Sequence, residues 1–110
     1  MQFKFSFYKG QQNSEILRVN ISDPGNISVV KNEDGNLDPS KIDKIELVAG
    51  DVVISSENGE ITWVDDIFTI TPNTDNINLL PRRSFAELVV YKDGRSATAA
   101  KGYVFIANLV

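Results

Sequence analysis

A tight-turn signal near the end of the chain constrains the fold more than any other feature. Asp93-Gly94 joins a β-prone run at 84–91 to a longer one at 96–106. Asp-Gly between two such runs is typical of a β-hairpin, because glycine takes a positive φ without steric cost. The sequence therefore predicts a long hairpin around which the other strands are arranged.

The turn also predicts a register for this hairpin. A two-residue loop would set Val90 opposite Ala97 and Leu88 opposite Ala99. Large side chains on the first strand would then face small ones on the second, which fills a sheet face without crowding. Because both faces of the first strand are largely apolar, we also expect packed layers above and below it.

Alternation with a period of two predicts strands elsewhere in the chain. Phe3, Phe5 and Phe7 alternate with other residues, so we expect a half-buried first strand. Tyr8 would then lie on the outer face of that strand. Turn signals separate most of the later β-prone runs, and no helical period is sustained. These runs lie at 15–21, 27–30, 42–48, 52–55, 61–64 and 67–71.

Two short stretches interrupt the β pattern. Residues 40–43 suggest a single helical turn. A second turn is predicted further along, with Thr74 or Asp75 as its N-cap. That turn would tuck Ile77 and Leu80 under the edge of the sheets.

The spacing of the strands predicts the fold class. Seven to nine short antiparallel strands, with turn signals between most of them, favour a single all-β domain over residues 1–110. We expect an immunoglobulin-like β-sandwich rather than a barrel. The Cys-Trp-Cys framework of antibody domains is absent, so only the general sandwich architecture is predicted.

The amino-acid composition excludes several kinds of chemistry. The chain has no cysteine and no histidine, which excludes disulfides, thiolate chemistry and Ser-His-Asp or Cys-His nucleophiles. A net charge of −4 argues against a nucleic-acid partner, because phosphates would repel it. No run is long and apolar enough to predict a membrane span or a signal peptide. We therefore expect a protein made in the cytoplasm, with no cofactor and no membrane partner.

Two acidic groups each suggest a site hypothesis. The loop at 32–38 offers oxygen ligands of the kind that calcium prefers, but Gly35 does not stand at the EF-hand position, so a solvated turn is favoured. Asp65-Asp66, with Glu57 and Glu60 nearby, has the composition of a hydrolytic carboxylate pair. Adjacent residues of a strand point to opposite faces, which favours a turn between two strands instead.

The candidate interaction residues are Tyr8, Arg82 and Arg83. The two arginines could clamp a phosphate or a partner carboxylate, or could form a solvated strand entrance. Tyr8 belongs to an expected edge strand, whose unpaired backbone groups a neighbouring subunit can complete. Trp63, the only tryptophan, is expected to pack in the core or between the sheets rather than to form a ligand platform. An assembly surface is therefore favoured over a catalytic cleft.

The order of motifs between residues 59 and 94 resembles a known group of proteins. The segment contains, in order, Ile61-Thr62-Trp63, Ile67-Phe68-Thr69-Ile70, Leu80-Pro81 and Ala86-Glu87-Leu88-Val89-Val90-Tyr91. In this order the motifs resemble those of small β-sandwich structural proteins of tailed bacteriophages. Arg83 stands where a glycine is common in those proteins, and Phe85 stands where a tyrosine is common.

The resemblance implies a virion component without enzymatic activity, placed in the head, neck, tail or baseplate. Its partners would be other virion proteins and further copies of itself, and no catalytic residue is implied. The alternative hypothesis is a monomeric carbohydrate-binding or adhesion-like module, with Trp63, Tyr8 or Tyr103 as an exposed aromatic platform. An enzyme would require a cleft that holds two converging carboxylates.

Overall fold

The computed structural model describes residues 2–18, 38–65 and 67–108. These ranges contain eight strands and one short α-helix. The elements are β1 (Gln2–Lys9), β2 (Glu15–Arg18), β3 (Lys44–Ala49), β4 (Val52–Ser55), β5 (Ile61–Val64), β6 (Ile67–Ile70), α1 (Thr74–Leu79), β7 (Arg83–Lys92) and β8 (Arg95–Asn108). The strand expected at 27–30 lies outside the described residues.

The strands form two sheets packed against each other, which confirms the predicted all-β sandwich. The larger sheet has the order β1-β8-β7-β3-β4, and the smaller one has the order β2-β6-β5. Every described pairing is antiparallel except one, since β1 runs parallel to β8. The prediction that all strands are antiparallel is therefore wrong for this pair. No tight turn joins β1 to β8, so nothing in the connection imposes an antiparallel pairing.

The core lies between the two sheets and is filled from alternate positions of the strands. Phe3, Phe5 and Phe7 are buried as predicted, and Trp63 is partly buried against the same cluster. The side chains that are almost fully excluded from water come from both sheets and from α1. The largest of them are Phe7, Phe68, Ile45, Leu47, Ile54, Ile61, Ile70, Ile77 and Leu88.

The hairpin turn forms as predicted, but the register beyond it shifts by one residue. Asp93 and Gly94 both have positive φ, at 51° and 76°, which is the backbone of a type I′ turn. Val90 pairs with Ala97 as expected. Leu88 pairs with Ala100 rather than with Ala99, because a β-bulge interrupts the ladder next to it. The predicted Leu88 pairing is therefore wrong.

The bulge reverses which residues of β8 face the core. Ala99 and Ala100 are both buried, and beyond them the inward positions are Val104 and Ile106. An unbroken register would instead have pointed Lys101 into the core, where an unpaired ammonium is costly to bury. Small alanine side chains at the bulge let two consecutive residues fit on the buried side.

The predicted layers on both faces of the first hairpin strand are wrong. The inner face of β7 is buried at Ala86, Leu88 and Val90. The other face is open, and the Phe85 side chain is 51% exposed on it. The smaller sheet covers one face of β7, and none of the described elements covers the other.

The helix α1 confirms the predicted turn but not its cap. The Asn73 side chain, rather than Thr74 or Asp75, accepts the N–H of Asn76 at 2.8 Å. An extended residue immediately before the helix can aim its side-chain oxygen at these free N–H groups, which explains the choice. Ile77 and Leu80 are buried as expected, and a single 3₁₀ turn spans Pro39–Lys41, overlapping the turn predicted at 40–43.

Candidate interaction surface

Three aromatic rings lie together on the open face of the larger sheet. Phe85 of β7 pairs with Tyr103 of β8, and Phe105 follows two positions later on the same face. The Phe85 and Tyr103 rings meet edge to face with centroids 5.9 Å apart, and the Tyr103 and Phe105 centroids are 6.3 Å apart. These separations fall in the range in which aromatic pairs attract each other.

Two cationic side chains lie over these rings from the strands on either side. The Lys4 ammonium, from β1, lies 5.1 Å from the centroid of Phe105. The Arg83 guanidinium, from β7, lies 4.7 Å from the centroid of Tyr103 and 6.0 Å from that of Phe105. We call this group the basic aromatic patch. It consists of Lys4, Arg83, Phe85, Tyr103 and Phe105.

The strand register explains why these residues meet. Lys4 is the parallel partner of Tyr103, and Arg83 is the antiparallel partner of Phe105. Each cation therefore reaches diagonally to a ring of β8, within the distance that long side chains span across a sheet. Such contacts contribute about 0.5–1 kcal/mol each at exposed sites, enough to bias the side chains toward one arrangement.

A close approach of two backbones brings Lys4 into this arrangement. Gly102 of β8 faces Phe3 of β1, and a Cβ on Gly102 would collide with the Phe3 carbonyl oxygen and lie 2.7 Å from the Phe3 Cδ1. Only glycine lets the two strands pair this closely. The patch therefore depends on a residue that does not belong to it.

The patch carries positive charge that the described residues do not neutralise. Neither Lys4 nor Arg83 has a carboxylate within ion-pair distance among residues 2–18, 38–65 and 67–108. Glu87, on the same face of β7, pairs in register with Lys101 instead. The guanidinium and ammonium groups thus keep their hydrogen-bond donors available to a partner.

A second cation–ring pair lies on the same face nearer the hairpin turn. The Lys44 ammonium lies 4.4 Å from the centroid of the Tyr91 ring. It also lies 3.6 Å from the Glu46 carboxylate and 3.5 Å from that of Glu57. The Tyr91 hydroxyl donates to Glu46 Oε1 at 2.7 Å, and this hydrogen bond, with burial, raises the pKa of Tyr91.

The arginine doublet does not act as one clamp. Arg83 belongs to the patch, whereas Arg82 precedes β7 and is exposed. The Arg82 carbonyl accepts the Ile106 N–H at 2.9 Å, which extends the ladder, but its side chain makes no hydrogen bond, ion pair or ring contact with the described residues. The structure thus organises only the second of the two predicted arginines.

The backbone edge at Tyr8 is already hydrogen bonded within the chain. The Asn13 side chain accepts the Tyr8 N–H at 3.3 Å and donates to the Ser6 carbonyl at 3.0 Å. The Tyr8 carbonyl accepts the Gln11 N–H at 3.2 Å. A neighbouring strand could therefore pair with this stretch only after displacing Asn13 and Gln11.

The Glu15 carboxylate completes this closure of the edge. It accepts the Ser6 backbone N–H, so both outward groups of Ser6 are occupied. Burial raises the pKa of the Glu15 carboxyl, and the hydrogen bond from Ser6 partly opposes that rise. The addition of a neighbouring subunit's strand next to Tyr8 is thus less favourable than the sequence suggests. The Tyr8 side chain itself is half-buried.

Glu60 is the one buried carboxylate among the described residues, and its bonds are structural. Its two oxygens accept the N–H groups of Ser55 and Asn73 and the side-chain amide of Asn76, at 3.4, 2.9 and 2.9 Å. The side chain is 3% exposed. Glu60 therefore ties β4 to the start of α1, and its oxygens are committed to that role.

The other acidic candidates have structural roles where they are described. Asp65 lies in the turn between β5 and β6, as predicted, while Asp66 lies outside the described residues. Of the acidic loop at 32–38, for which a solvated turn was favoured over a calcium site, only Asp38 is described. Hydrogen bonds from the Ser40 side chain and backbone lower the pKa of the Asp38 carboxyl. Within the described ranges, no three residues of the metal-binding types come together.

Sequence reasoning missed most of the patch. Of its members, only Arg83 and Tyr103 were candidates, and Tyr103 was considered only as a glycan platform. Phe105 follows a period of two that is broken at the bulge, so its face could not be read from the turn. The run Ala97-Thr98-Ala99-Ala100 was the available signal, since two adjacent small residues suit the two-against-one packing of a bulge.

No protein-family model matches the chain, and no curated protein is significantly similar to it. Within residues 2–18, 38–65 and 67–108, no helix is both long and apolar enough to cross a bilayer. We therefore infer the function from the sheets and from the basic aromatic patch.

Proposed function

We propose that this protein is a non-enzymatic structural component of a tailed-bacteriophage particle that acts through protein–protein contacts. The observation that carries the proposal is the basic aromatic patch on an otherwise open sheet face. Arginine, tyrosine and other aromatic residues dominate the energetically important positions of protein interfaces. A rigid sheet that presents them suits a protein whose task is to hold neighbours.

The resemblance of residues 59–94 to tailed-phage structural proteins supports the choice of particle. On this proposal the protein is made in the bacterial cytoplasm and becomes part of the head, neck, tail or baseplate. Its partners are other virion proteins and further copies of itself, rather than a nucleic acid or a membrane. Glu60 adds indirect support, because the buried carboxylate is bonded to backbone and amide groups rather than aimed at a cleft.

Mass spectrometry of purified particles tests the proposal. Particles from a culture that expresses the chain should contain it in many copies, with an abundance that stays constant through a density gradient. Particles that lack the chain would overturn the proposal. A host-contaminant control, such as an abundant cytoplasmic enzyme, should fall away through the same gradient.

The second candidate is a carbohydrate-binding module, which the three clustered rings favour. Sugars stack on exposed ring faces, but Lys4 and Arg83 lie over Phe105 and Tyr103. Trp63 is partly buried against the core and offers a smaller platform than a free indole. Glycan binding that calorimetry detects and that is lost in Tyr103→Ala would favour this candidate over the assembly protein.

A further inference from the structure

We propose that the basic aromatic patch binds an extended acidic segment of a partner protein, with two carboxylates reaching Lys4 and Arg83 and an apolar side chain against Phe85. The inference deepens the proposed function and rests on it for the claim that the partner is a protein. It identifies that partner by its chemistry, as a segment with paired acids beside an apolar residue.

The spacing of the two cations matches an extended peptide. Lys4 and Arg83 belong to β1 and β7, which flank β8 on either side. The Lys4 ammonium lies 5.1 Å and the Arg83 guanidinium 6.0 Å from the centroid of the same Phe105 ring, so the two cationic groups are at most about 11 Å apart. In an extended chain, residues i and i+2 point to the same face and are about 7 Å apart, whereas residue i+3 points to the opposite face. Carboxylates two residues apart can therefore reach both cations.

The Arg83 guanidinium is held in a suitable geometry. Its central carbon lies 4.7 Å from the Tyr103 ring centroid, and none of the hydrogen bonds among the described residues uses its N–H groups. A planar fork of this kind matches a carboxylate with two parallel hydrogen bonds. Because the rings already restrict the side chain, less conformational entropy is lost on binding.

Phe85 adds an apolar contact next to the charges. Its side chain is 51% exposed, and it meets the Tyr103 ring edge to face. The combination of an exposed ring and two cations distinguishes the patch from an ordinary charged surface. A peptide with acids alone would use only part of it.

Charge favours an acidic protein segment over the other occupants. A stacked base would need free ring faces, but the cations lie over Phe105 and Tyr103. A phosphate backbone carries charge along its whole length, so outside the patch the chain's net charge of −4 repels it, whereas a segment with two acids places its charge on the patch alone.

Selection from a short random peptide library tests the proposal. The full chain is immobilised and the displayed peptide library is passed over it. Enriched peptides are then synthesised, and their affinities for the chain are measured by fluorescence anisotropy. We expect enriched sequences with two acids two positions apart and an apolar residue two positions from one of them, so that all three side chains point to the same face of the extended peptide. Arg83→Ala and Lys4→Ala should each weaken binding at least about tenfold, as the loss of a paired charge does at other interfaces.

Arg95→Ala is the matched control, because it removes the same charge at the far end of the hairpin. Its affinity should equal that of the wild type, and all variants should keep the wild-type circular dichroism spectrum. Arg83→Lys keeps the charge but not the planar fork, so binding should be weaker than in the wild type. Enriched peptides without acids, no enrichment at all, or peptides that bind Arg83→Ala equally well would overturn the proposal.

Two further measurements separate the alternative occupants. Oligothymidylate that binds more tightly than the best acidic peptide, or sedimentation that shows self-association abolished by Arg83→Ala, would each overturn the acidic-segment assignment. Neither result bears on whether the chain is present in particles. If no acidic peptide binds but the chain is found in particles, the proposed function stands and the acidic-segment assignment falls. If acidic peptides bind but the chain is absent from particles, only the proposed function is overturned.

Discussion

The same arrangement of a cation over a tyrosine ring occurs twice on the open face of the larger sheet. Near the hairpin turn, the Lys44 ammonium lies 4.4 Å from the Tyr91 ring centroid. Near the other end of the hairpin, the Arg83 guanidinium lies 4.7 Å from the Tyr103 ring centroid. The two pairs share a sheet and a face, yet their surroundings differ. We call Lys44 with Tyr91 the closed pair and Arg83 with Tyr103 the open pair.

The difference lies in the carboxylates. Lys44 is within ion-pair distance of Glu46 and Glu57, so the first pair is internally neutralised. Arg83 has no such neighbour among the described residues, and Phe85 occupies the position two residues along the strand that Glu46 occupies relative to Lys44. Two carboxylates, one of them two residues along the same strand, therefore separate the neutralised cation–ring pair from the one that keeps its charge.

The largest expected effect on stability comes from breaking the close pairing of β1 with β8 that supports the open pair. Gly102→Ala would force β1 away from β8, because the new Cβ collides with the Phe3 carbonyl. We expect a loss of about 3 kcal/mol in the free energy of unfolding, typical of overpacking against a backbone that cannot move. Urea unfolding followed by circular dichroism measures it. Lys101→Ala, at the neighbouring exposed position, should change stability by less than about 0.5 kcal/mol.

Converting the open pair into a closed one should abolish binding. Phe85→Glu places a carboxylate beside Arg83, as Glu46 stands beside Lys44, and removes the apolar contact. The affinity for the selected acidic peptides should fall at least about tenfold, while stability stays within about 0.5 kcal/mol. Val53→Glu adds the same charge at an exposed position of β4 and serves as the control. Equal affinities in the two variants would contradict the comparison.

The two tyrosine hydroxyls should differ in their contribution to stability. Tyr91→Phe removes the hydrogen bond to Glu46 and should cost about 1 kcal/mol. Tyr103→Phe is the matched change at the open pair, where the hydroxyl has no hydrogen bond to the described residues, and it should be close to neutral. Thermal unfolding of both variants in one buffer makes the measurement. A larger loss in Tyr103→Phe would show that the open pair is also structural.

The smallest expected effect is a pH dependence of stability at Asp43, next to the hairpin turn. The hydrogen bond from the Asp93 N–H, 2.8 Å long, and the nearby Lys92 ammonium lower the pKa of Asp43 from its ordinary value of 3.8. The ionised carboxylate therefore stabilises the fold above that ordinary value, and this contribution is lost as the pH falls through the lowered pKa. The melting-temperature difference between wild type and Asp43→Asn should be present at neutral pH and shrink in acid. A difference that is constant with pH would contradict this assignment.

The fold was predictable where local signals decide it. Asp93-Gly94 specified its turn, and the alternation of Phe3, Phe5 and Phe7 specified the buried face of β1, because both depend on neighbours in sequence. The parallel pairing of β1 with β8 was not predictable, since no local connection sets it. Immunoglobulin-like topology remains a prediction beyond the sandwich itself.

The site was harder to predict because it depends on long-range register. Arg83 was identified as an interaction residue from its place in a doublet. The rest of the patch was not, because Lys4 reaches Phe105 through the β1–β8 pairing and the bulge at Ala99 places Phe105 on the open face. A period of two, followed without interruption, would have placed the Tyr103 and Phe105 rings in the core.

The parallel pairing of β1 with β8 delays the folding of the first strand. The ladder joins Gln2 to Lys101, so its partners are almost the whole described length apart. Closing so long a loop has an entropic cost that comes before any contact offsets it. On a ribosome, Phe3, Phe5 and Phe7 must therefore wait for β8 to be synthesised, and these three apolar rings are the nascent segment most in need of a chaperone.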